Sequence, residues 1–303
     1  MGQGRRTAGA PLRASMTLAF ACALIALPAT PALAQEAPIC LKVKERLDDG
    51  RNKFFGSNGK DSVTGLRGKD RMDGRGGNDR INGGRDNDVV DGGPGNDVVC
   101  GGRGNDKLIG GEGDDIIFGE EESDKIDPGP GDDRVLGSAG NDRIRGWGKE
   151  GGVIVDDGFD ILDGGFNDDK VEAGGADELY GFTHNDVLST RTPEIAPAIM
   201  DGGGNDDQLF GSLADDVMSG GENGRDTLFG DAGNDTLRGE GNNDELFGQL
   251  GDDELFGGDG FDLLDGGPGD DFCDGGELRD QARDCERQQS IDRPLAGFYA
   301  WGA

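Results

Sequence analysis

The sequence has few of the side chains on which most enzymes and nucleic-acid-binding proteins depend. Its 303 residues include one His, 30 Lys or Arg against 62 Asp or Glu, and a hydrophobic share of only 33%. The formal charge of −32 argues against nucleic acid and anionic membrane surfaces as partners and favours cations. His184 has no second His, zinc motif or G-x-S-x-G sequence beside it, so we interpret it as a tolerated loop residue.

Long apolar runs are equally scarce, and the one that exists lies near the N-terminus. Three Arg residues precede an apolar run over residues 16–27, and an A-x-A sequence ends at Ala34. This order predicts a secretory signal peptide over residues 1–34. A membrane anchor would need about 20 apolar residues. The sequence therefore predicts a secreted, extracellular protein without a membrane span.

Cysteine is rare, and four of the five cysteines follow the predicted signal peptide. They are Cys40, Cys100, Cys273 and Cys285. Four cysteines allow three pairings, and in an exported protein an even number favours disulfides over free thiols. We favour Cys273 with Cys285, which closes a short loop, and this choice leaves Cys40 to pair with Cys100.

Glycine, by contrast, accounts for 60 residues and follows a nine-residue period rather than the three-residue period of collagen. From Gly92 to Phe118 the chain reads GGPGNDVVC, GGRGNDKLI and GGEGDDIIF. Each unit has Gly at its first, second and fourth positions, Asp at the sixth and a bulky aliphatic residue at the eighth. The low hydrophobic share alone would suggest disorder, but apolar residues at regular intervals can stack into a core.

The period continues in phase well beyond this stretch. It runs from Leu47 to Glu172, and the unit over 146–154 is expected to remain in the series while lacking the sixth-position Asp. Units of other lengths follow, and the segment TRTPEIAPAIMD, with two prolines, then interrupts the series as a loop or joint. The predicted organisation is an entry segment over 35–46, a first repeat block over 47–189, a Pro-containing insertion over 190–201, a second block over 202–285 and a capping tail over 286–303.

This G-G-x-G-x-D-x-U-x nonapeptide resembles the haemolysin-type, or RTX, calcium-binding repeat family. The resemblance implies an all-β fold, a right-handed parallel β-roll (solenoid) with two units per turn, in one block or in two stacked blocks. It also implies calcium ions between loops one turn apart, so that Asp97 and Asp115 line one edge of the roll and Asp88 and Asp106 the other. The metal ligands that the resemblance implies are Asp61, Asp70, Asp79, Asp88, Asp97, Asp106, Asp115, Asp124, Asp133, Asp142, Asp160, Asp169, Asp207, Asp216, Asp226, Asp235, Asp244, Asp253, Asp262 and Asp271.

The chemistry of one unit supports the same ion. Glycines allow the backbone to turn carbonyl oxygens toward one point, and the sixth-position Asp adds a carboxylate. Ca²⁺ takes about six to eight oxygen ligands, which two stacked loops can supply and one cannot. Because each turn buries only two aliphatic side chains, we predict that the chain folds on binding multiple Ca²⁺ ions. An EF-hand would need a 12-residue loop closed by Glu, and no segment matches it.

The predicted function is therefore that of a secreted, non-catalytic calcium-binding β-roll with a structural or adhesive role. Calcium ions are its predicted ligands, and cell-surface or matrix components are its candidate partners. The alternative is an accessory or degenerate secreted enzyme, polysaccharide-active or hydrolytic, that carries an RTX module and a weak site in the insertion over 190–201. The lack of a domain-sized segment outside the repeats counts against this alternative.

Overall fold

The computed structural model describes residue 40 and residues 44–146, 148–150, 153–155, 158–174, 177–190, 196–290 and 293–294. The predicted signal peptide over 1–34 and the aromatic residues at the end of the tail lie outside these ranges. The described part of the chain contains no helical segment with the length and hydropathy of a membrane span.

Thirty short strands make up the fold. In chain order they are β1 (Glu45–Arg46), β2 (Lys53–Phe55), β3 (Ser62–Thr64), β4 (Arg71–Asp73), β5 (Arg80–Arg85), β6 (Val89–Pro94), β7 (Val98–Arg103), β8 (Lys107–Glu112), β9 (Ile116–Glu121), β10 (Lys125–Asp127), β11 (Arg134–Ala139), β12 (Arg143–Gly146), β13 (Gly148–Glu150), β14 (Val153–Val155), β15 (Ile161–Phe166), β16 (Lys170–Ala173), β17 (Glu178–Thr183), β18 (Val187–Thr190), β19 (Ile199–Gly204), β20 (Gln208–Phe210), β21 (Val217–Asn223), β22 (Thr227–Phe229), β23 (Thr236–Gly241), β24 (Glu245–Phe247), β25 (Glu254–Asp259), β26 (Leu263–Asp265), β27 (Phe272–Glu277), β28 (Gln281–Arg283), β29 (Arg287–Gln289) and β30 (Arg293–Pro294).

Twenty-eight of these strands form two parallel sheets of 14 strands each. The first sheet contains the odd-numbered strands except β13, and the second sheet contains the even-numbered strands except β14. The chain alternates between the sheets, so each strand pairs with the strand one full turn later; Val99 faces Ile117 in the first sheet, and Val90 faces Leu108 in the second. The all-β parallel roll predicted from the repeats is confirmed.

The eighth-position side chains form one continuous core between the sheets. In a strand successive side chains point to opposite faces, so the x-U-x triplet places only its central residue inward. Nearly all of these central side chains are fully buried, as in the series Val63, Met72, Ile81, Val90, Val99, Leu108, Ile117, Ile126, Val135 and Ile144 and in the later series Leu209, Met218, Leu228, Leu237, Leu246, Leu255, Leu264 and Cys273. A narrow apolar column thus holds the roll together along its whole length.

One predicted unit is missing from the stack. Val135 pairs with Leu162, and Ile144 pairs with Val171, a step of 27 residues where 18 is usual. The intervening chain forms an antiparallel pair, β13 with β14, outside both sheets. The expectation that residues 146–154 remain in the series was therefore wrong. With Gly151 at its sixth position, this unit lacks the carboxylate that joins successive turns, and its β-branched VIV segment pairs locally instead.

Both sheets continue past the proline-containing segment. β17 pairs with β19 and β18 pairs with β20, so the strands before and after this segment belong to the same two sheets. Thr190 ends β18 and Ile199 begins β19, whereas residues 191–195 lie outside the described residues. The strands before residue 190 and the strands after residue 199 therefore form one stack.

Two disulfides fasten the ends of the roll. Cys40 pairs with Cys100, and Cys273 pairs with Cys285, as the sequence analysis favoured. Cys40 and Cys100 are buried beside Phe118 on the outer surface of the first sheet, whereas Cys273 belongs to the core between the sheets. The first bond spans 60 residues and the second spans 12.

Removing the longer disulfide is expected to destabilise the protein more than removing the shorter one. The loop-entropy relation gives about 4 kcal/mol for the Cys40→Ala/Cys100→Ala pair and about 3 kcal/mol for Cys273→Ala/Cys285→Ala. Urea unfolding in saturating calcium, followed by circular dichroism, measures both losses. A longer-loop variant as stable as the unmodified protein would contradict this expectation.

Candidate metal sites

The sixth-position aspartates form two buried rows along the roll. Asp97, Asp115 and Asp253 are no more than 1% exposed, and nearly all the other predicted ligands are similarly buried. Burial of so many carboxylates on a highly charged chain is unusual, because ionised side chains are rarely buried without a partner. Their partners therefore decide what the rows do.

Hydrogen bonds connect successive carboxylates of a row. The backbone N–H of Asp97 donates to Oδ1 of Asp115 at 2.7 Å, and the N–H of Asp115 donates to Oδ1 of Asp133 at 2.7 Å. The other row repeats the pattern, with the N–H of Asp88 donating to Oδ1 of Asp106 at 2.7 Å. The structure thus brings together the pairs that the family resemblance implies. One oxygen of each carboxylate is used in joining adjacent turns.

The second oxygen of most of these carboxylates has no partner within the described residues. Oδ2 is buried and accepts no hydrogen bond in Asp70, Asp79, Asp88, Asp97, Asp106, Asp115, Asp124, Asp133, Asp142, Asp169, Asp186, Asp207, Asp226, Asp235, Asp244, Asp253, Asp262 and Asp271. A buried, unsatisfied carboxylate oxygen is costly, and its repetition along both rows indicates a ligand that the protein atoms do not supply.

A backbone carbonyl lies close to most of these oxygens. Around the first glycine of a unit, Gly92, the position that a Cβ would occupy is 2.5 Å from Asp97 Oδ2 and 2.5 Å from the carbonyl oxygen of Gly110, one turn later. The two oxygens therefore lie within about 5 Å of each other. The same arrangement recurs around Gly65, Gly119 and Gly257. Glycine is needed here because any side chain would fill the space between the oxygens.

The second glycine of a unit is needed for a different reason. Gly93 has a φ of 92°, and a Cβ there would lie 2.0 Å from the carbonyl oxygen of Arg75 in the preceding turn. Positive φ and close backbone approach both favour glycine. His184 adopts the same left-handed conformation, with φ of 83°, and its Nδ1 accepts the N–H of Asn167 at 3.3 Å. This geometry agrees with its interpretation as a loop residue.

Burial disfavours the charged form of the rows when no cation is present. It raises the pKa of Asp88, Asp115 and Asp124 to about 8, although a donated backbone N–H opposes the shift for each. The carboxylates one turn before and after raise these pKa values further. The pKa of Asp169 reaches about 9 for the same reasons. Without metal, the folded roll therefore favours protons on part of each row at neutral pH.

The predicted residues are not all equivalent. Asp61 Oδ2 accepts the N–H and hydroxyl of Ser57, and Asp216 Oδ2 accepts the N–H of Ser212 at 2.6 Å, so their oxygens have partners. Ala198 replaces an aspartate in the first sheet's row; its N–H donates to Asp216 Oδ1, but it offers no carboxylate. Near this position the row lacks one potential ligand.

The ligand prediction from the sequence left out four acidic residues that join the rows. Asp177, Asp186 and Asp280 accept the N–H of an aspartate one turn earlier, as the predicted ligands do. Glu286 takes the same place after Asp271, whose N–H donates to Glu286 Oε2 at 2.9 Å. Their units depart from the nine-residue length or end the series, and only the strand register shows that they are equivalent to the others.

A comparison with protein families agrees with this geometry. The sequence model for the RTX calcium-binding nonapeptide repeat (4 copies) matches more than half of the chain, over residues 48–81, 64–99, 73–108, 91–126, 101–135, 127–148, 199–223, 220–255 and 247–282. A search of curated proteins found no match. Among solved structures, a hyperactive, Ca²⁺-dependent, β-helical antifreeze protein from an Antarctic bacterium aligns with 17% identity and a TM-score of 0.42, over 84% of this chain and 81% of that one.

Proposed function

The chain belongs to the RTX calcium-binding nonapeptide-repeat family, and on this premise we propose that it is a secreted, non-catalytic protein that folds around multiple Ca²⁺ ions. The observation that carries the proposal is the series of buried Oδ2 atoms without partners among the described residues, most of them beside a carbonyl oxygen of the next turn. Calcium is a hard cation that takes carboxylate and carbonyl oxygens together. It would supply the missing positive charge.

Each proposed site draws on two turns. Asp97 Oδ2 and the carbonyl oxygen of Gly110 would be two of its ligands, and neighbouring loop carbonyls would complete the set. Ca²⁺ suits such a site better than Mg²⁺, which demands near-ideal octahedral geometry and keeps several waters. Ligands from successive turns explain why ion binding and stacking would be linked, since neither turn alone offers enough oxygens.

A structural or adhesive role follows from the same features. The described residues form a roll of two 14-stranded parallel sheets, with one disulfide near each end. Disulfides persist in oxidising compartments, which supports an extracellular location. Calcium is abundant outside cells, so such a protein would become rigid after export. Cell-surface or matrix components are the proposed partners.

Calorimetric calcium titration of residues 35–303 tests this proposal with two matched variants. Asp115→Asn removes the charge of a buried carboxylate whose Oδ2 lacks a partner, whereas Asp114→Asn makes the same change at an exposed neighbour. We expect Asp115→Asn to bind fewer ions and to lose about 2 kcal/mol of stability in saturating calcium.

The Asp114→Asn variant is expected to match the unmodified protein in stoichiometry and stability. Equal calcium binding by all three proteins would contradict the ligand assignment. An absence of calcium binding in the unmodified protein would reject the function itself.

A further inference from the structure

One outward-facing column of the second sheet is strongly basic, on a protein whose net charge is −32. The column contains the residue immediately before the buried core residue of each strand. Parallel in-register pairing places these residues side by side, from Lys53 next to Arg71 to Arg143 next to Lys170. We call the six cations of this column the basic stripe: Lys53, Arg71, Lys107, Lys125, Arg143 and Lys170.

The fold itself does not require this charge. Val89 occupies the same column between Arg71 and Lys107 without disturbing the register. After Lys170, the column continues along the second sheet as Val187, Gln208, Thr227, Glu245, Leu263 and Gln281, and the next cation in it is Arg293 of the last strand. Six of the seven cations of this column thus lie in one half of the roll, although the same backbone continues through both halves.

A groove of about 860 Å³ runs beside the stripe. Five stripe residues line it together with Arg51 and Lys69. The buried rows contribute four aspartates to its lining, Asp70, Asp88, Asp106 and Asp124. Asn and Ser side chains line much of the rest, and no aromatic side chain is among the lining residues. The groove therefore combines several exposed cations with neutral hydrogen-bonding groups along several consecutive turns.

Most stripe cations remain available for a ligand. Glu172 forms ion pairs with Arg143 and Lys170, at 3.4 Å and 2.9 Å. Within the described residues, the remaining four stripe cations, Lys53, Arg71, Lys107 and Lys125, form no ion pair, and all four are exposed.

The acidic residues beside the stripe are less accessible than its cations. The neighbouring outward column includes Asp91 and Asp127, whose carboxylates are partly buried. Burial raises the pKa of both carboxyls, and the positive charge of Lys107 opposes that rise. The exposed charge along this face is therefore mainly positive.

We propose that the basic stripe and its groove bind a linear acidic polysaccharide of the uronate class. Neighbouring strands are about 4.8 Å apart, so the stripe presents positive charges at that spacing except at Val89, where the interval is doubled. An extended uronate chain carries one carboxylate per ring, and each ring advances the chain by a distance similar to one strand spacing. Single-stranded nucleic acid fits less well, since proteins bind it by stacking its bases on aromatic side chains, which the groove lacks.

This inference rests on the proposed calcium function. The aspartates that line the groove carry negative charge when ionised and metal-free, and that charge would oppose a polyanion. Bound calcium would neutralise these carboxylates and leave the charge of the stripe unopposed. Polysaccharide binding is therefore expected only in the calcium-bound, folded protein.

The test measures binding of an oligogalacturonate, long enough to span the stripe but too short to gel, to residues 35–303 in saturating calcium. The stripe variant carries Arg71→Gln, Lys107→Gln and Lys125→Gln. The control carries Lys60→Gln, Arg85→Gln and Arg134→Gln, which remove three exposed positive charges away from the stripe. We expect the unmodified protein and the control to bind alike and the stripe variant to bind about tenfold more weakly, with affinity falling as salt rises.

Circular dichroism and calcium stoichiometry are measured on the same samples. If the protein is folded and calcium-loaded but does not bind the oligogalacturonate, this inference is overturned and the calcium function is unaffected. Failure to bind calcium or to fold would reject both. An equal loss of oligogalacturonate affinity in the two triple variants would show that calcium ions bridge protein and polysaccharide without a defined site, which would overturn the inference. Tighter binding of polyphosphate or an oligonucleotide would overturn the choice of a uronate. A neutral oligosaccharide of the same length must not bind.

Discussion

Removal of calcium is expected to abolish most of the β-sheet circular dichroism of this protein, and its return should restore the signal. Two rows of buried carboxylates run the length of the roll, and neighbouring turns are about 4.8 Å apart. Two negative charges at that spacing repel by on the order of 3 kcal/mol at an effective dielectric of about 20. The core contributes one buried side chain per strand, too little to oppose repulsion that is repeated at every turn.

The pH dependence of the metal-free protein provides an internal control for the explanation by carboxylate repulsion, because protons neutralise the same carboxylates. The folded-state pKa values of the rows, about 6 for Asp106, about 8 for Asp88 and about 9 for Asp169, lie above the ordinary value of 3.8. The metal-free folded state therefore binds protons more tightly than the unfolded chain. The resulting stability is complete below pH 3.8 and is lost as the pH rises through the range from about 6 to about 9.

Calcium-depleted protein should accordingly show more β signal at pH values below 6 than above 9. With calcium present the dependence should reverse, because protons compete with the metal for the same oxygens. Magnesium at equal concentration serves as the cation control and should restore little of the signal. A β signal that is unchanged by calcium removal at neutral pH would refute coupled folding.

The Gly92→Ala variant is expected to lose about 3 kcal/mol of stability in saturating calcium and to bind fewer ions. Its methyl group would lie 2.5 Å from both Asp97 Oδ2 and the carbonyl oxygen of Gly110. The carbonyl belongs to a paired strand and cannot move away without disturbing the next turn. The methyl group would also occupy the space between two proposed ligands.

The Gly76→Ala variant is the matched control. A Cβ there would meet nothing closer than 3.7 Å, so the substitution changes the unfolded chain in the same way without filling a site. We expect its stability to be unchanged or slightly raised, and its calcium stoichiometry to equal that of the unmodified protein. Urea unfolding and calorimetry on both variants provide the measurement. Similar losses in the two variants would show that the first glycine is not special.

Much of the fold could be predicted because the repeat is local and periodic. Val99, Leu108 and Ile117 occupy the same position in successive units, and a period of nine with one inward side chain per strand leaves few ways to bury them. The ion class also followed from single units, since glycine turns and a carboxylate at fixed spacing suit a hard cation. Cys40 and Cys100 could be paired because the entry segment had few turns to cross.

The register at irregular units could not be predicted in the same way. The unit over 146–154 has the correct length, yet it is not part of the stack, and Val135 pairs with Leu162. Asp177 lies in a short unit, yet it occupies a full position in its row. Whether a unit enters the stack depends on hydrogen bonds to turns above and below it, and those partners are set by three-dimensional register rather than by spacing along the chain.

The sequence alone thus determined the repeating unit, the buried core column and the excess of acidic side chains, because each of these features can be recognised within a single nine-residue unit. Only the tertiary structure decided which aspartates share a row across the irregular units and that one oxygen of most carboxylates lacks a protein partner, because stacking brings together atoms about 18 residues or more apart. It also gathered the cations of the basic stripe, which are dispersed along the chain. Because the strands pair in parallel and in register, cations that occur once per turn, such as Lys107, Lys125 and Arg143, lie side by side on one surface.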